Sequence, residues 1–317
     1  MAVLVFLASS LLLLSACALV FLIVASPKPR QRTENERYYR DGFSKEKNLL
    51  PSLSDEPSVA LSVVIPAYNE TSRLPIMLAE CVAFLNKRAA ENPESNYEIL
   101  IVDDGSKDNT TQVALDFGKN NDVKNLRVLT LEKNRGKGGA VTQGILNARG
   151  KYILFADADG ATRFADLELL EAELNKIKTN DLGVAIGSRA HLVKTEAVVK
   201  RSFIRNLLMH SFHKVLYILG IRKIADTQCG FKLFTRAAAQ QIFPNTHVEG
   251  WIFDIEVLLI AEYLSIPIAE VSVNWHEVDG SKISLIRDSI RMAIDLLVIR
   301  LNYIFGLWRV NTKSKHV

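Results

Sequence analysis

Short apolar runs alternate with stretches of helical periodicity through the middle of the chain. The runs cover residues 59–67, 97–103, 126–131, 151–156 and 182–187, and helices are predicted at 74–90, 110–118, 138–148 and 165–178. Near-continuous apolar strands separated by helices are typical of a parallel sheet that is covered on both faces. The pattern therefore predicts an α/β fold with a mostly parallel sheet flanked by helices.

The chain begins with an apolar run, residues 1–27, that contains no charged residue. A helix of this length spans roughly 35 Å, enough for a hydrocarbon core of about 30 Å, so we predict an N-terminal transmembrane anchor. The alternative is a cleaved signal peptide, with Ala16-Cys17-Ala18 as the cleavage site, but no basic region precedes the run. Lys28, Arg30 and Arg32 follow the run directly, which predicts that the rest of the chain lies in the cytosol.

Charged residues interrupt the remaining segments outside the sheet. Residues 28–58 are charged and punctuated by proline, and are predicted to form a linker with one local helix. Residues 203–221 and 283–308 are apolar stretches broken by charges, typical of amphipathic helices at a membrane interface. The alternative for both is an ordinary core helix. We therefore assign residues 281–317 to an amphipathic, membrane-associated helix and tail.

Composition excludes several classes of protein. With 48% hydrophobic and 23% charged residues among 317, the chain can bury a sizeable core and is neither disordered nor fibrous. The net charge of +4 comes from 39 basic and 35 acidic residues without a basic cluster, so no nucleic-acid partner is expected. Cys17, Cys81 and Cys229 lie far apart, which disfavours a zinc site or a disulfide framework and fits a reducing compartment.

Polar residues follow each of the five predicted strands. The segments concerned are 66–70, 103–106, 134–139, 157–160 and 187–189. In open α/β sheets ligands bind at the carboxyl ends of the strands, so these segments predict a binding site along one edge. Asp157 and Asp159 flank a single residue, and a divalent cation beside them would offset their repulsion. Since Mg²⁺ completes its shell with water and phosphate oxygens, the pair indicates a nucleotide-diphosphate site.

A stretch rich in glycine follows the third strand. Gly136, Gly138 and Gly139 permit a close approach of the backbone to a ligand, with Lys137 near the ligand's charge. The order of residues is not that of a Walker A loop, and no dinucleotide-binding glycine pattern follows the first strand. By itself the stretch identifies no ligand.

Taken in order, the five strand-end segments resemble the inverting family 2 glycosyltransferases of GT-A fold, over roughly residues 59–280. Residues 155–162, 226–234 and 251–256 resemble the members of that family that glucosylate dolichyl phosphate. The resemblance implies a Rossmann-like GT-A domain that transfers glucose from UDP-glucose to dolichyl phosphate with inversion. It also implies a single-pass protein of the endoplasmic reticulum membrane, in contact with the lipid bilayer and with its catalytic domain in the cytosol.

The resemblance also assigns site residues. Pro66, Tyr68 and Glu70 match the segment that holds the base and ribose, and Asp103 and Asp104 complete that pocket. Asp157 and Asp159 match the pair that binds the metal, Mg²⁺ or Mn²⁺, and the diphosphate. The full set expected at the donor is Pro66, Tyr68, Glu70, Asp103, Asp104, Lys137, Asp157, Ala158 and Asp159.

Three further residues are expected to serve the acceptor and the reaction. Arg189 and Arg205 match positions that contact the acceptor phosphate in the dolichyl-phosphate relatives. Asp254 is the candidate general base by resemblance. A phosphate monoester is mostly a dianion at neutral pH and is already a competent nucleophile, so Asp254 could instead be a structural residue that orients others.

Other functions are compatible with the same pattern. The donor could be GDP-mannose, or the acceptor another polyprenyl phosphate. Gly160-Ala161 weighs against GDP-mannose, because the mannosyl relatives carry a Leu and often a metal-contacting residue there. A catalytically silent scaffold homologue is the third possibility. The intact Asp157 and Asp159 pair and Arg189 weigh against it.

Overall fold

A computed structural model describes residues 1–28, 30–194, 224–280 and 285–311. The described strands, β1 to β9, are Tyr38–Tyr39, Asn48–Leu49, Val59–Ala67, Tyr97–Asp103, Leu126–Thr130, Gly150–Ala156, Val184–Ser188, Phe231–Thr235 and Ile268–Ser272. The described helices, α1 to α8, are Ala2–Ala25, Leu74–Glu91, Thr110–Asn120, Lys137–Ile145, Leu167–Ile177, Arg236–Ile242, Phe253–Tyr263 and Leu285–Ile304. The predicted interfacial segment 203–221 and Arg205 lie outside the described residues.

The central sheet has seven strands in the order β5-β4-β3-β6-β8-β7-β9. Strands β5, β4, β3 and β6 are mutually parallel, and β7 is parallel to β9. Strand β8 is antiparallel to both of its neighbours, β6 and β7. The predicted α/β fold with a mostly parallel sheet is thus confirmed, and β8 and β9 are additions that the hydrophobic pattern did not indicate.

Helices cover both faces of the sheet because successive side chains of a strand point to opposite sides. Val63 and Ile65 of β3 pack into a core with α2, α3 and α5. Val64, between them, packs into a second core with α4, α6 and α7. The carboxyl edge of the sheet is left between these layers for a ligand.

Helix α4 lies unusually close to the sheet. A Cβ atom at Gly144 would overlap Val64 Cγ1 and would lie 2.9 Å from Val102 Cγ2. Because α4 begins at Lys137, this close packing determines where the Lys137 side chain meets the carboxyl edge. Gly144 therefore affects the candidate site indirectly, because it lets α4 pack close to the sheet.

The N-terminal apolar run forms helix α1. No helix in the described ranges combines the length and hydropathy that crossing a membrane requires. The transmembrane anchor at 1–27 therefore stays a prediction. The far end of α1 packs on the last helix, where Leu22 is buried and Ser26 Oγ accepts a 2.8 Å hydrogen bond from Asn302 Nδ2.

Much of the predicted linker, 28–58, packs on the domain that contains the central sheet rather than extending freely from it. A short 3-10 turn, Asn35–Arg37, precedes the two-stranded ribbon of β1 and β2. Arg40 exchanges backbone hydrogen bonds of 2.9 and 2.8 Å with Val128 at the edge of the sheet. The physical reason is that β5 is an edge strand, whose free N–H and C=O groups pair with this segment.

The last helix, α8, has two apolar faces. Leu296 and Ile299 are buried against Ile255 and Leu259 of α7. On the opposite side Ile290, Ile294, Leu297 and Ile304 are exposed at spacings of four, three and seven residues, which places them on one stripe. One face of the helix is thus a core face, and a role of the exposed stripe at a membrane interface stays a prediction.

We expect Gly144→Ala to lower the free energy of unfolding by about 1–3 kcal/mol, because the added methyl group has to displace two β-branched core side chains. Gly118→Ala, in α3, is the matched control. Its Cβ would make an ordinary 3.4 Å contact with Leu126, and the better helix propensity of alanine should raise stability by about 0.5–1 kcal/mol. Urea unfolding of both variants measures the difference. Equal effects would show that α4 does not pack on the sheet as described.

Candidate active site

An open cavity of about 470 Å³ lies at the carboxyl edge of the sheet. Ten of the residues expected from the sequence line it: Pro66, Tyr68, Glu70, Asp104, Lys137, Asp157, Ala158, Asp159, Arg189 and Asp254. The cavity thus brings together side chains from the ends of β3, β6 and β7, the start of α4 and the first turn of α7. Of the expected residues that the structure describes, Asp103 is the one that does not line it.

Asp103 supports the wall from behind. Its carboxylate accepts hydrogen bonds from the backbone N–H of Ser106, at 2.9 Å, and from the Thr111 hydroxyl. The side chain is 3% exposed, so both oxygens are used within the protein. Asp103 therefore shapes the turn after β4 instead of facing a ligand.

The neighbouring Asp104 holds the glycine-rich turn. Its carboxylate accepts backbone N–H bonds from Arg135, at 2.7 Å, and from Gly136, at 2.9 Å. Burial raises the pKa of Asp104 to about 7, although the two N–H bonds favour its charged form. Gly136 has a φ of +93°, a conformation that side chains rarely adopt.

The glycines of this turn make room for a neighbouring segment of the protein, and Gly136 also lines the cavity. A Cβ atom at Gly138 would overlap Phe253, and one at Gly136 would lie 2.6 Å from the Glu249 carbonyl oxygen. The Gly139 N–H donates a 3.0 Å hydrogen bond to the same oxygen. The close approach is therefore between this turn and segment 248–253, which leads into α7.

Glu70 forms a paired charge on another wall. Arg73 donates to both carboxylate oxygens of Glu70, at 2.8 and 2.5 Å, and to the Asp279 carbonyl oxygen at 3.2 Å. The hydrogen bond to Glu70 raises the pKa of Arg73, and the nearby Asp159 and Asp157 charges act in the same direction. Sequence reasoning missed Arg73, although its position three residues after Glu70, at a helix start, was an available indication.

Asp157 and Lys137 form an ion pair in the cavity. The Lys137 Nζ atom lies 2.7 Å from Oδ1 and 2.9 Å from Oδ2 of Asp157. Burial disfavours the ammonium, but the carboxylates of Asp157, Asp254 and Asp159 outweigh it and raise the pKa of Lys137. A Cβ atom at Gly230 would overlap the Asp157 carboxylate, so only glycine fits behind it.

The residues present fit a divalent cation that is held partly by its substrate. Asp157 and Asp159 both line the cavity, and Asp159 Oδ1 accepts a 3.0 Å bond from the Ala161 N–H. In the parts of the chain described, no group of three His, Cys, Asp or Glu side chains could hold a metal alone. Mg²⁺ is commonly bound through one or two carboxylates plus substrate phosphates, and this donor set matches that pattern.

Asp254 lies at the floor of the cavity in a buried ion pair. Lys232 Nζ donates to Asp254 Oδ1 at 2.6 Å and to the Cys229 carbonyl oxygen at 2.5 Å. Burial raises the pKa of Asp254, and the opposite charges of Lys232 and Lys137 counter that rise. The pair was missed because Lys232 is a charged residue within a strand, 22 positions before its partner.

Arg189 is also held by a carboxylate. Its guanidinium makes a two-pronged contact with Asp226, at 2.7 and 2.9 Å, and lies 5.5 Å from the Trp275 ring centroid. Burial opposes the charge on Arg189, but the hydrogen bonds to Asp226 and its negative charge raise the pKa above its ordinary value. The guanidinium is thereby fixed in orientation while it faces the cavity.

The pKa of Asp104 makes stability depend on pH. Since burial raises this pKa to about 7, the folded state favours the protonated carboxyl, and stability falls as pH rises from about 5 to 8. Between these two pH values the free energy of unfolding of the wild type should fall by about 2–3 kcal/mol more than that of Asp104→Asn. Denaturant unfolding at both pH values measures the difference. The control is Asp116→Asn, an exposed position on α3. A pH-independent difference for Asp104→Asn would contradict the assignment.

Comparison with known proteins agrees with this arrangement. The family model described as glycosyl transferase family 2 matches residues 62–243. The dolichyl-phosphate beta-glucosyltransferase of Saccharomyces cerevisiae is 50% identical over 316 residues, covering 95% of this chain and 93% of the relative. The enzyme of the same name from Homo sapiens is 47% identical over 310 residues, covering 95% of each.

Solved structures support the fold. Glucosyl-3-phosphoglycerate synthase from Mycobacterium tuberculosis, in complex with Mg²⁺ and UDP, superposes with a TM-score of 0.53 at 18% identity, covering 77% of this chain and 79% of that one. The same protein with Mn²⁺ and UDP-glucose gives a TM-score of 0.50 at 17% identity, covering 78% and 80%. At this identity the likeness concerns the fold alone. The matched family model and the close relatives together place the chain in glycosyl transferase family 2, among the dolichyl-phosphate beta-glucosyltransferases.

Proposed function

We propose that this protein transfers glucose from UDP-glucose to dolichyl phosphate with inversion of configuration. The observation that carries the proposal is the cavity at the carboxyl edge, where Asp157, Asp159, Lys137 and Arg189 meet. Its close relatives are named for this reaction, and the same set of charges suits two phosphorylated substrates. The products are dolichyl β-D-glucosyl phosphate and UDP.

The donor is proposed to bind along the wall formed by β3, β4 and α4. Tyr68, Glu70 and Asp104 line the part of the cavity assigned to the base and ribose. Asp157 and Asp159 would hold Mg²⁺ or Mn²⁺, which supplies positive charge to the diphosphate. Lys137, which is paired with Asp157, is within reach of the same negative group and adds a fixed cation.

The acceptor phosphate needs a cation more than it needs a base. As a dianion it attacks the anomeric carbon through one of its own oxygens while the bond from that carbon to the UDP oxygen breaks, and one such displacement inverts the configuration. Arg189 presents a fixed guanidinium for that phosphate. Asp254 Oδ1 is already bonded to Lys232, so we assign Asp254 to positioning the cations rather than to proton removal. Arg205 stays a proposed acceptor contact.

The lipid part of the acceptor is proposed to lie along the exposed stripe of α8. Met292 of this helix lines the cavity together with Trp251 and Val278. Met292 lies on the face of α8 that packs on α7, and the exposed stripe of Ile290, Ile294, Leu297 and Ile304 lies on the other face of the same helix. We propose that this surface lies on the bilayer, in a single-pass protein of the endoplasmic reticulum whose catalytic domain is cytosolic.

The full-length protein, incubated with Mg²⁺, dolichyl phosphate and labelled sugar nucleotide, tests the donor and the activity together. We expect transfer from UDP-glucose but not from GDP-mannose, and loss of transfer in Asp159→Asn, which removes a charge without changing side-chain volume. Asp116→Asn is the control for the substitution itself. Transfer from GDP-mannose would identify a mannosyltransferase, and no transfer from either donor would indicate a silent homologue.

A charge placed on the exposed stripe tests the lipid surface. We expect Ile294→Glu to raise the KM for dolichyl phosphate in liposomes about 10-fold, because a carboxylate near acyl chains costs on the order of 1.4 kcal/mol or more, with the KM for UDP-glucose unchanged. The matched control is Ile76→Glu on α2, where the isoleucine is 73% exposed on a different surface. An equal acceptor KM in the two variants would remove α8 from the lipid surface.

A further inference from the structure

One buried side chain, Arg135, holds residues 30–36, which follow the predicted anchor, against the Gly136–Gly139 turn, called the active-site turn below. Its Nη1 atom donates to the Arg30 carbonyl oxygen at 2.7 Å, and Nη2 donates to the Gln31 carbonyl oxygen at 2.9 Å. Nη2 also lies 2.8 Å from Glu36 Oε2, in an ion pair whose two side chains are each 3% exposed. The Arg135 guanidinium therefore bonds three residues of segment 30–36 at once.

The same residue carries the turn that organises the donor side of the cavity. The Arg135 backbone N–H donates to Asp104 Oδ1, and the next N–H, of Gly136, donates to Oδ2. Lys137 follows and reaches Asp157 at 2.7 Å. A displacement of the Arg135 side chain would therefore move the turn that places both Asp104 and Lys137.

A second contact joins Arg135 to segment 248–253, which leads into α7. Glu249 lies 3.2 Å from Arg135 Nη1 and 3.3 Å from Arg30 Nε. Its backbone oxygen accepts the hydrogen bond from the Gly139 N–H, and the next residues, Gly250 and Trp251, line the cavity. Segment 30–36 thus contacts both Arg135, which precedes the Gly136–Gly139 turn, and Glu249, which packs on that turn.

We propose that Arg135 and Glu36 are positioning residues that couple segment 30–36 to donor binding. When the segment is attached, the turn holds Asp104 and Lys137 in the arrangement that receives the nucleotide diphosphate. By reciprocity, a bound donor should hold the segment more firmly on the domain. The inference rests on the proposed function, because it takes a uridine nucleotide as the donor.

Glu36→Gln is the decisive variant, because it removes the charge that pairs with Arg135, at a residue outside the cavity. We expect the KM for UDP-glucose to rise about 5- to 30-fold, with kcat and the KM for dolichyl phosphate within about 2-fold of wild type. Glu34→Gln is the matched control, since Glu34 lies on the same segment with 70% of its side chain exposed. Arg135→Lys, which keeps a cation but loses the forked contact, should raise the donor KM in the same way.

Hydrogen exchange supplies a readout that reduced stability alone would not produce. In the full-length wild type, UDP with Mg²⁺ should slow exchange of the amides in residues 30–36, and this slowing should be lost in Glu36→Gln. If UDP binds both proteins equally and leaves that exchange unchanged, the coupling is wrong while the proposed function stands. If a variant lowers kcat with an unchanged donor KM, Arg135 serves folding only. If the wild type binds no UDP, the proposed donor fails and the coupling fails with it.

Discussion

Charge pairing at the carboxyl edge of the sheet is the constraint on which the site depends. Asp157 is held by Lys137, Asp254 by Lys232 and Asp226 by Arg189, at distances of 2.6 to 2.7 Å for the nearest atoms. The Asp254 and Lys232 side chains are 3% and 1% exposed, and because a buried charge without a partner costs several kcal/mol, each of these two requires the other for the fold to be stable. Lys137 and Arg189 also line the cavity, where we propose that they contact the phosphorylated substrates. Under that proposal, charge pairs that hold the edge of the sheet together also supply positive charge to the reaction.

The sequence predicted the elements that are determined by residues close together in the chain. Near-continuous apolar runs indicated the strands, and the rule that ligands bind at the carboxyl ends of parallel strands brought Pro66, Asp104, Asp157 and Arg189 to one edge. Strand β8 could not be predicted in the same way. It contains Lys232, which is 1% exposed only because Asp254, far along the chain, neutralises it. Pairing between distant segments leaves no periodic pattern in the sequence.

Two other differences between the predicted and the observed site have a geometric origin. A glycine pattern indicates that something approaches the backbone closely, but not what approaches. Here segment 248–253 approaches both Gly136 and Gly138, while Gly136 also lines the cavity. Asp103 and Asp104 are adjacent at the end of β4, yet only the second lines the cavity. Successive side chains of an extended chain point in opposite directions, so the residue that faces the ligand depends on register, which composition does not specify.

The elements outside the sheet limit how the cavity can face a membrane. Helix α1 contacts α8 through the hydrogen bond between Ser26 and Asn302, and residues 30–36 are then fixed behind the active-site turn by Arg135. If α1 spans the bilayer as its sequence predicts, these contacts rather than a flexible tether fix the distance from the lipid to the cations that receive the acceptor phosphate.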